Sequence, residues 1–193
     1  EGGYVPAPTA FLEGVRAICD KHGILLIVDE IQAGFGRTGK MFAIEHSGVR
    51  PDLMTFAKGF ANGYPISCLV GNKGVMDVMS PGTLGGTYAG NAVACAAARA
   101  TIETFQNERV LENVAERSKQ LFSGLEAIRQ TSFGKVIEDI RGMGLMVGVQ
   151  FASGPGEPIA QRLSKACLER DMLIMSTSSF DVIRWIPPLT VSE

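Results

Sequence analysis

An acid and a lysine each stand at the end of a short apolar run in this sequence. Asp29 follows ILLIV, and Lys58 follows LMTFA. In a parallel sheet the carboxyl ends of neighbouring strands share one edge, so the two side chains are predicted to converge there. A buried charge is costly unless it has a partner. The pair is therefore either a structural ion pair or the heart of a site in which a lysine amine does chemistry beside a carboxylate.

Two further features could accommodate a negative charge. Arg184 lies inside the apolar run VIRWIPPL, where a cation needs a partner. Arg141, in IRGMG, is the competing candidate, and we interpret it as structural. Thr87 lies in GGTYAGN, a Gly-rich turn that runs into a helix and is either an anion cradle or a simple helix entry loop. Isolated histidines, His22 and His46, give no reason to predict a metal site.

The segment GFGRTGK, residues 34–40, satisfies two nucleotide-binding patterns in part. A phosphate-binding P-loop needs Ser or Thr after its lysine, but Met41 stands there. A dinucleotide fingerprint places its first glycine at the very end of a strand, whereas Asp29 to Ala33 intervene here. We therefore interpret the segment as an ordinary loop.

The elements that must position these residues follow from hydrophobic periodicity. A helix over 11–22 is predicted to pack on a sheet and to end at Gly23. Its apolar stripe consists of Phe11, Leu12, Val15, Ile18 and Cys19. Three apolar runs predict strands at 24–28, 53–57 and 66–70, and the first, which is continuous and β-branched, is expected to be buried on both faces.

The later part of the chain changes in texture. An Ala-rich helix over 91–105 and an amphipathic helix over 110–128 precede short strand-like runs that surround one helix at 158–170. Those runs are IEDIRG, LMVGVQF, LIMS and DVIRWI. We predict an α/β domain over 1–108, a connecting helix over 109–133 and a small, truncated α+β domain over 134–193.

Charge and cysteine content limit the classes of partner and compartment. A net charge of −2 gives no broad attraction to nucleic acid or to an anionic membrane. The cysteines are far apart and form no CxxC pair, so we expect reduced thiols in an intracellular protein, cytoplasmic or mitochondrial. These are Cys19, Cys68, Cys95 and Cys167. The first residue is Glu rather than Met, and we expect a fragment of a longer protein.

Four motifs in order resemble the class III, or ω-amino acid, aminotransferases. They are DEIQAGFGRTG, PDLMTFAKG, GGTYAGN and RWIPPL, and the likeness extends over essentially the whole chain. The resemblance implies the fold of the pyridoxal-phosphate-dependent transferases of fold type I, an α/β large domain with a mainly parallel sheet followed by a small α+β domain. It also implies a homodimer that binds pyridoxal 5′-phosphate in shared active sites.

Roles for individual residues are implied by the same resemblance. Lys58 binds the cofactor aldehyde and moves the substrate proton, and Asp29 keeps the pyridine nitrogen protonated. Gln32 contacts the phenolic oxygen of the cofactor, and Thr87 binds its phosphate in the neighbouring subunit. Arg184 grips the substrate carboxylate with its planar fork.

The expected reaction is transfer of an amino group from an ω-amino acid, such as 4-aminobutyrate, to a 2-oxo acid. An aminomutase, a decarboxylase or a lyase of the same fold would share Asp29 and Lys58, and a catalytically dead fragment is a further alternative. Complete family members carry a preceding region with more of the cofactor site. We therefore expect the parent protein to be active and the 193-residue chain alone to be inactive.

Overall fold

The computed structural model describes residues 2–193, which form two compact units. The first unit is Ala7–Leu111, and the second combines the segment that ends at Pro6 with Glu112–Glu193. The predicted connecting helix, residues 109–133, mostly belongs to the second unit, and so does the segment before Ala7, which the prediction placed in the first domain.

The first unit contains three helices and a small mixed sheet. Its helices are α1 (Thr9–His22), α2 (Lys73–Met76) and α3 (Ala92–Asn107), and its strands are β1 (Ile27–Asp29), β2 (Leu53–Phe56) and β3 (Cys68–Gly71). The strands lie in the order β1-β2-β3, with β1 parallel and β3 antiparallel to β2. Short 3-10 helices at Ala43–His46 and Lys58–Phe60 precede and follow β2.

Local signals in the sequence set the ends of the helices. Gly23 adopts a left-handed conformation with φ of 63° and ends α1, as its position predicted. The Asn91 side chain accepts hydrogen bonds from the main-chain N–H groups of Val93 and Ala94 at 3.0 and 3.1 Å, and this caps the first turn of α3.

The second unit is an antiparallel sheet covered by two helices. The strands are β4 (Ile137–Met143), β5 (Met146–Phe151), β6 (Met175–Ser176) and β7 (Val182–Trp185), in the order β4-β5-β7-β6. The helices are α4 (Val110–Arg129) and α5 (Ile159–Leu168), and a 3-10 helix covers Phe133–Val136. The four strand-like runs of the sequence therefore are strands.

One face of this sheet forms the core of the second unit. Its buried residues come from β5, β7, α4, α5 and the segment before β6, and they are Leu125, Val147, Val149, Phe151, Ala160, Ile174 and Ile183. The N-terminus of α5 is capped from a distance, because the Asp181 carboxylate accepts the N–H groups of Ile159 and Ala160 at 2.9 and 2.6 Å.

Two predictions about the first unit were wrong. The strand expected at 24–28 is limited to Ile27–Asp29, and Ile24, Leu25 and Ile27 are exposed rather than buried on both faces. The stripe of α1 is also partly exposed, since Phe11 and Ile18 face solvent while Cys19 is buried. Within residues 2–193, no helix combines the length and the apolar character needed to cross a membrane.

Candidate active site

Asp29 and Lys58 lie at the carboxyl ends of two adjacent parallel strands. Asp29 is paired in register with Thr55, and the main-chain N–H of Glu30 donates to the Thr55 carbonyl at 2.8 Å, which carries the pairing past Asp29. Lys58 follows three residues after Thr55. The spacing of neighbouring strands plus three residues of extended chain allows about 16 Å at most between the two Cα atoms. The structure therefore brings the predicted amine and carboxylate to the same edge of the sheet.

The backbone at Lys58 has an unusual conformation. Its φ is 45°, in the left-handed region that non-glycine residues seldom adopt. A main-chain hydrogen bond from Phe60 N–H to the Ala57 carbonyl at 3.0 Å closes the turn around it. Such a conformation persists only where the surroundings hold it, and it is frequent at functional sites. Lys58 itself is exposed, so a ligand can reach its amine.

The Asp29 carboxylate is oriented by its own backbone. Its Oδ1 accepts the main-chain N–H of Ile31 at 2.9 Å, which forms a local turn of the kind that aspartate favours after a strand. The side chain is exposed, and Gln32 follows three residues later in a half-buried position. Lys58 and Asp29 thus present an exposed amine and an exposed carboxylate at the carboxyl ends of adjacent strands. An amine can bind the aldehyde of pyridoxal phosphate and a carboxylate can pair with its ring nitrogen, so these residues fit that cofactor.

Glu30 is a buried carboxylate that sequence reasoning passed over as the end of a strand. Its residue exposure is 1%. Its Oε1 accepts the N–H of Ile44 at 2.7 Å, and its Oε2 accepts the N–H of Ala43 at 3.1 Å. The signal was available in the sequence, because two acids in succession at a strand end point to opposite sides, and one of them must then enter the fold.

A cluster of phenylalanines surrounds the turn that carries Lys58. Phe35 is the centre of the cluster, with its ring centroid 5.4 Å from that of Phe56 and 5.0 Å from that of Phe60. Phe42 and Phe105 also contact Phe35, at 5.6 and 6.5 Å. The segment 34–40 does not open a regular helix but supplies Phe35, the centre of this cluster, in agreement with its interpretation as a loop.

The amino end of β2 is anchored by Asp52. Its Oδ2 accepts the N–H of Leu26 at 2.8 Å and pairs with Arg16 at 2.7 Å, and its Oδ1 accepts the Asn72 side-chain amide at 3.3 Å. The Leu26 N–H and then the Arg16 guanidinium hold the pKa of the Asp52 carboxyl below its ordinary value of 3.8. The strand that leads to Lys58 is thus fixed at both ends.

Cys68 lies on β3 and is paired in register with Phe56, the last residue of β2. Burial raises the pKa of the Cys68 thiol above its ordinary value of 9.0. A raised pKa lowers the thiolate fraction, so this thiol is a poor nucleophile.

Thr87 lies in an exposed turn before α3. All residues from 77 to 93 are exposed, and Asn91 ends the turn by capping the helix. A phosphate from solvent or from another subunit could therefore reach the Thr87 hydroxyl.

The two arginine candidates lie in the second unit and differ in their surroundings. Arg141 donates to the Gly3 carbonyl at 3.0 Å, to Asp139 at 2.9 Å and to Gln150 at 2.8 Å. The Nη2 of Arg184 lies 3.8 Å from the Met175 sulfur, and its Nε is buried without a hydrogen-bond partner among the described residues. Arg141 is engaged in holding the unit together, whereas Arg184 has capacity left for a ligand.

Comparison with known proteins gives consistent matches over the whole chain. The profile of a protein family described as aminotransferase class-III matches residues 1–193. The 5-aminovalerate aminotransferase DavT of Pseudomonas putida is 43% identical over 199 residues, covering 100% of this chain and 46% of that protein. The 4-aminobutyrate aminotransferase GabT of Escherichia coli is 39% identical with the same coverage. The chain thus spans less than half the length of these relatives.

Among solved structures, the N-acetylornithine aminotransferase of Stenotrophomonas maltophilia superposes with a TM-score of 0.86 at 33% identity. It covers 100% of this chain and 49% of its own. The ornithine aminotransferase of Plasmodium yoelii gives a TM-score of 0.88 at 29% identity, over 98% of this chain and 50% of its own. These superpositions confirm the fold class that the sequence predicted.

Proposed function

Because the chain belongs to the class III aminotransferases, a family that uses pyridoxal phosphate, we propose that its parent protein transfers an amino group from an ω-amino acid to a 2-oxo acid with that cofactor. The observation that carries the proposal is the placement of Lys58 and Asp29 at the ends of two paired parallel strands. Relatives that act on 5-aminovalerate and 4-aminobutyrate support an amino donor with its amine far from its carboxylate.

Lys58 would hold the cofactor covalently and move the proton of the substrate carbon. Once the amino donor has displaced it from the cofactor, the free Nζ of Lys58 would accept the proton from the substrate carbon that carries the amine, since Lys58 is exposed where the ligand would lie. The bound cofactor supplies the electron sink that makes this carbon acidic. A positioned acid-base group of this kind contributes roughly 10² to 10⁴ in rate.

Asp29 would hold the pyridine nitrogen in its protonated form. The hydrogen bond from the Ile31 N–H orients the Asp29 carboxylate at the strand end, so the carboxylate is in position before the ligand arrives. Gln32, on the same segment, would contact the phenolic oxygen. Thr87 would bind the cofactor phosphate of a second subunit, which an exposed turn permits.

Arg184 would bind the substrate carboxylate. A guanidinium offers five N–H donors in a planar fork, and the Nε of Arg184 is buried with its bond unmade. Arg141 is excluded from this role because its guanidinium already bonds Gly3, Asp139 and Gln150.

We propose a homodimer in which each active site receives residues from both subunits. Support comes from the turn around Thr87, whose apolar side chains Val78, Leu84 and Tyr88 are widely exposed, with Tyr88 at 85%. The 193 residues alone would bind the cofactor weakly and would not turn over, because they span less than half of a family member. A reducing compartment such as the cytoplasm suits the free thiols, and the DavT and GabT relatives are bacterial.

The test is borohydride trapping in the complete protein, followed by peptide mapping. We expect the reduced cofactor on Lys58 alone, and we expect Lys58→Ala to lose the label together with at least about 10² to 10⁴ of the transamination rate. Lys73→Ala is the matched control, since Lys73 is an exposed lysine of the same unit whose side chain pairs only with the nearby Asp77 at 3.1 Å among the described residues. A label on another lysine, or an unchanged rate in Lys58→Ala, would overturn the proposal.

A further inference from the structure

Glu30 has no place in the chemistry above, although it is next to Asp29. It is almost completely buried, with an exposure of 1%, in a unit where Asp29 and Lys58 are exposed. A buried carboxylate is retained only where its oxygens are satisfied. Here both oxygens accept main-chain N–H groups, from Ile44 and Ala43.

These bonds close the segment 31–44 into a loop that starts and ends at Glu30. At the start of the loop, the Gly34 N–H donates to the Glu30 carbonyl at 3.0 Å. A side chain at Gly34 could not be accommodated, because a Cβ there would lie 2.8 Å from that carbonyl oxygen. At the far end the carboxylate binds the first turn of the 3-10 helix Ala43–His46. Glu30 therefore holds both ends of the segment, the start through its main-chain carbonyl and the far end through its carboxylate.

The same segment contacts the turn of Lys58 through one side chain. Phe35 is buried, and its ring packs on Phe56 and Phe60, which lie two residues before and two residues after Lys58. Phe35 itself has a φ of 52°, so its backbone too needs to be held. A path of direct contacts thus leads from the Glu30 carboxylate through the segment to the backbone on both sides of Lys58.

We infer that Glu30 is a positioning residue of the cofactor site, which fixes the segment 31–44 and through Phe35 holds the strained turn that presents Lys58. This inference rests on the proposed role of Lys58 in binding the cofactor. Glu30 touches neither substrate nor cofactor. Its effect reaches the chemistry through the geometry of the amine.

The test replaces Glu30 by glutamine in the complete protein. Glutamine has the same shape but only one acceptor oxygen, so its NH₂ group faces either the Ala43 or the Ile44 N–H, donor against donor. We expect amide hydrogen exchange at Ile44 and at Phe60 to accelerate roughly tenfold to a hundredfold. We also expect kcat to fall by roughly tenfold or more with little change in KM, and the pH midpoint of the bound cofactor's absorbance to shift.

Glu45→Gln is the matched control, because Glu45 lies in the 3-10 helix Ala43–His46 at the end of the segment but is exposed, and its carboxylate accepts the N–H of Phe42 at 2.7 Å. A glutamine there keeps the one acceptor it needs, so exchange, kcat and absorbance should remain as in the wild type. If Glu30→Gln behaves like this control, the inference is wrong.

A second variant covers the case in which Glu30→Gln does not fold. Phe35→Leu leaves the carboxylate bonds intact but removes the ring contacts with Phe56 and Phe60, so exchange at Phe60 should accelerate while exchange at Ile44 stays slow. Unchanged exchange at Phe60 would overturn the inference. The exchange measurements need no cofactor. A wild-type protein without cofactor absorbance would therefore contradict the proposed function, while the exchange rates at Phe60 and Ile44 would still decide whether Glu30 holds the turn of Lys58.

Discussion

At the scale of single residues, Arg141 and Arg184 lie in one cross-strand row of the second unit and have different neighbours. Arg141 is paired in register with Gly148, and Gly148 with Arg184, so both arginines are on the same face of the sheet. The Arg141 guanidinium donates hydrogen bonds to Gly3, Asp139 and Gln150, and the exposed fraction of its side chain is 15%. The two residues are chemically identical, and only their neighbours distinguish them, because the Nε of Arg184 is buried without a hydrogen-bond partner among the described residues.

Replacing Arg184 by glutamine is expected to weaken binding of carboxylate substrates without unfolding the protein. Loss of charge-assisted hydrogen bonds to a carboxylate should raise KM for the amino acid and for the 2-oxo acid roughly 10- to 100-fold. Steady-state kinetics of the complete protein measure this. Arg162→Gln is the control, because Arg162 is an exposed arginine on α5 of the same unit. A rise in KM in Arg141→Gln but not in Arg184→Gln would reverse the assignment.

Residue types at strand ends could be read from the sequence, but the groups that satisfy a buried acid could not. The end of an apolar run identified Asp29 and Lys58, and the structure placed them on one edge as predicted. Glu30 escaped notice because the groups that satisfy it are main-chain N–H groups of Ala43 and Ile44, and a backbone group leaves no trace in residue type. A local pattern records side chains, whereas the partners of a buried carboxylate depend on where a loop returns.

At the scale of secondary structure elements, Asp52 ties α1, the segment before β1, and the β3–α2 connection to the start of β2. It does so through Arg16, the Leu26 N–H and Asn72, which come from three separate parts of the first unit. The same partners lower the pKa of Asp52 below 3.8 in the folded state.

A carboxyl whose pKa is lower in the folded state binds more protons when unfolded. Asp52 therefore stabilises the fold above its ordinary pKa of 3.8, and this contribution is lost as the pH falls through its lower folded value. Urea unfolding of the wild type should show this acid-sensitive contribution, and Asp52→Asn should be less stable at neutral pH and should lose less stability on acidification. Asp77→Asn, in which an exposed partner of Lys73 is changed, is the control. Equal acid sensitivity in Asp52→Asn and wild type would contradict this reading.

The predicted elements were mostly present, and the exposed stripe of α1 has a cause that its own sequence pattern could not show. Helices α3 and α5 and all four strands of the second unit follow their local patterns. The orientation of α1 does not, because Arg16 turns toward Asp52 while Phe11 and Ile18 face solvent. A hydrophobic stripe identifies a face to be covered, but which element covers it depends on contacts distant in sequence, and these the periodicity of one helix cannot contain.

Gly148 in β5 shows how an element depends on close approach of another segment. A Cβ at this position would lie 2.4 Å from the Gly3 carbonyl oxygen, so the segment before Ala7 can cross the sheet only over a glycine. Gly148→Ala should displace that segment and cost about 1–3 kcal/mol in the free energy of unfolding.

The control for this change is Gly124→Ala in α4, where a Cβ meets nothing within 4 Å. There the substitution should stabilise the protein by about 0.5–1 kcal/mol, because alanine is the better helix former. Denaturant unfolding measures both variants, and hydrogen exchange at Tyr4 should accelerate in Gly148→Ala alone. An equal response of the two variants would show that the approach of Gly3 is not what the glycine serves.

At the scale of the whole molecule, the described residues expose many large apolar side chains. In the first unit they include Phe11 and Ile18 on α1, the residues around β1 (Ile24, Leu25 and Ile27) and the turn residues Val78, Leu84 and Tyr88. The first strand has β2 on one side only, since it stands at the edge of the order β1-β2-β3. Together with the coverage of 46% of DavT and GabT, this predicts that further polypeptide packs on these surfaces.

The isolated 193-residue chain is therefore expected to self-associate, to bind a hydrophobic dye and to bind pyridoxal phosphate weakly. Co-expression with a polypeptide that supplies the remaining length of a family member should remove the dye binding, give a defined dimer and allow borohydride labelling of Lys58. Size-exclusion chromatography, dye fluorescence and peptide mapping report these outcomes. Lys58→Ala co-expressed in the same way is the control, because it should assemble equally well and take no label. Should the chain alone remain monomeric, bind no dye and hold the cofactor on Lys58, the apolar surfaces would need another explanation, because covering them would not be a condition for building the site.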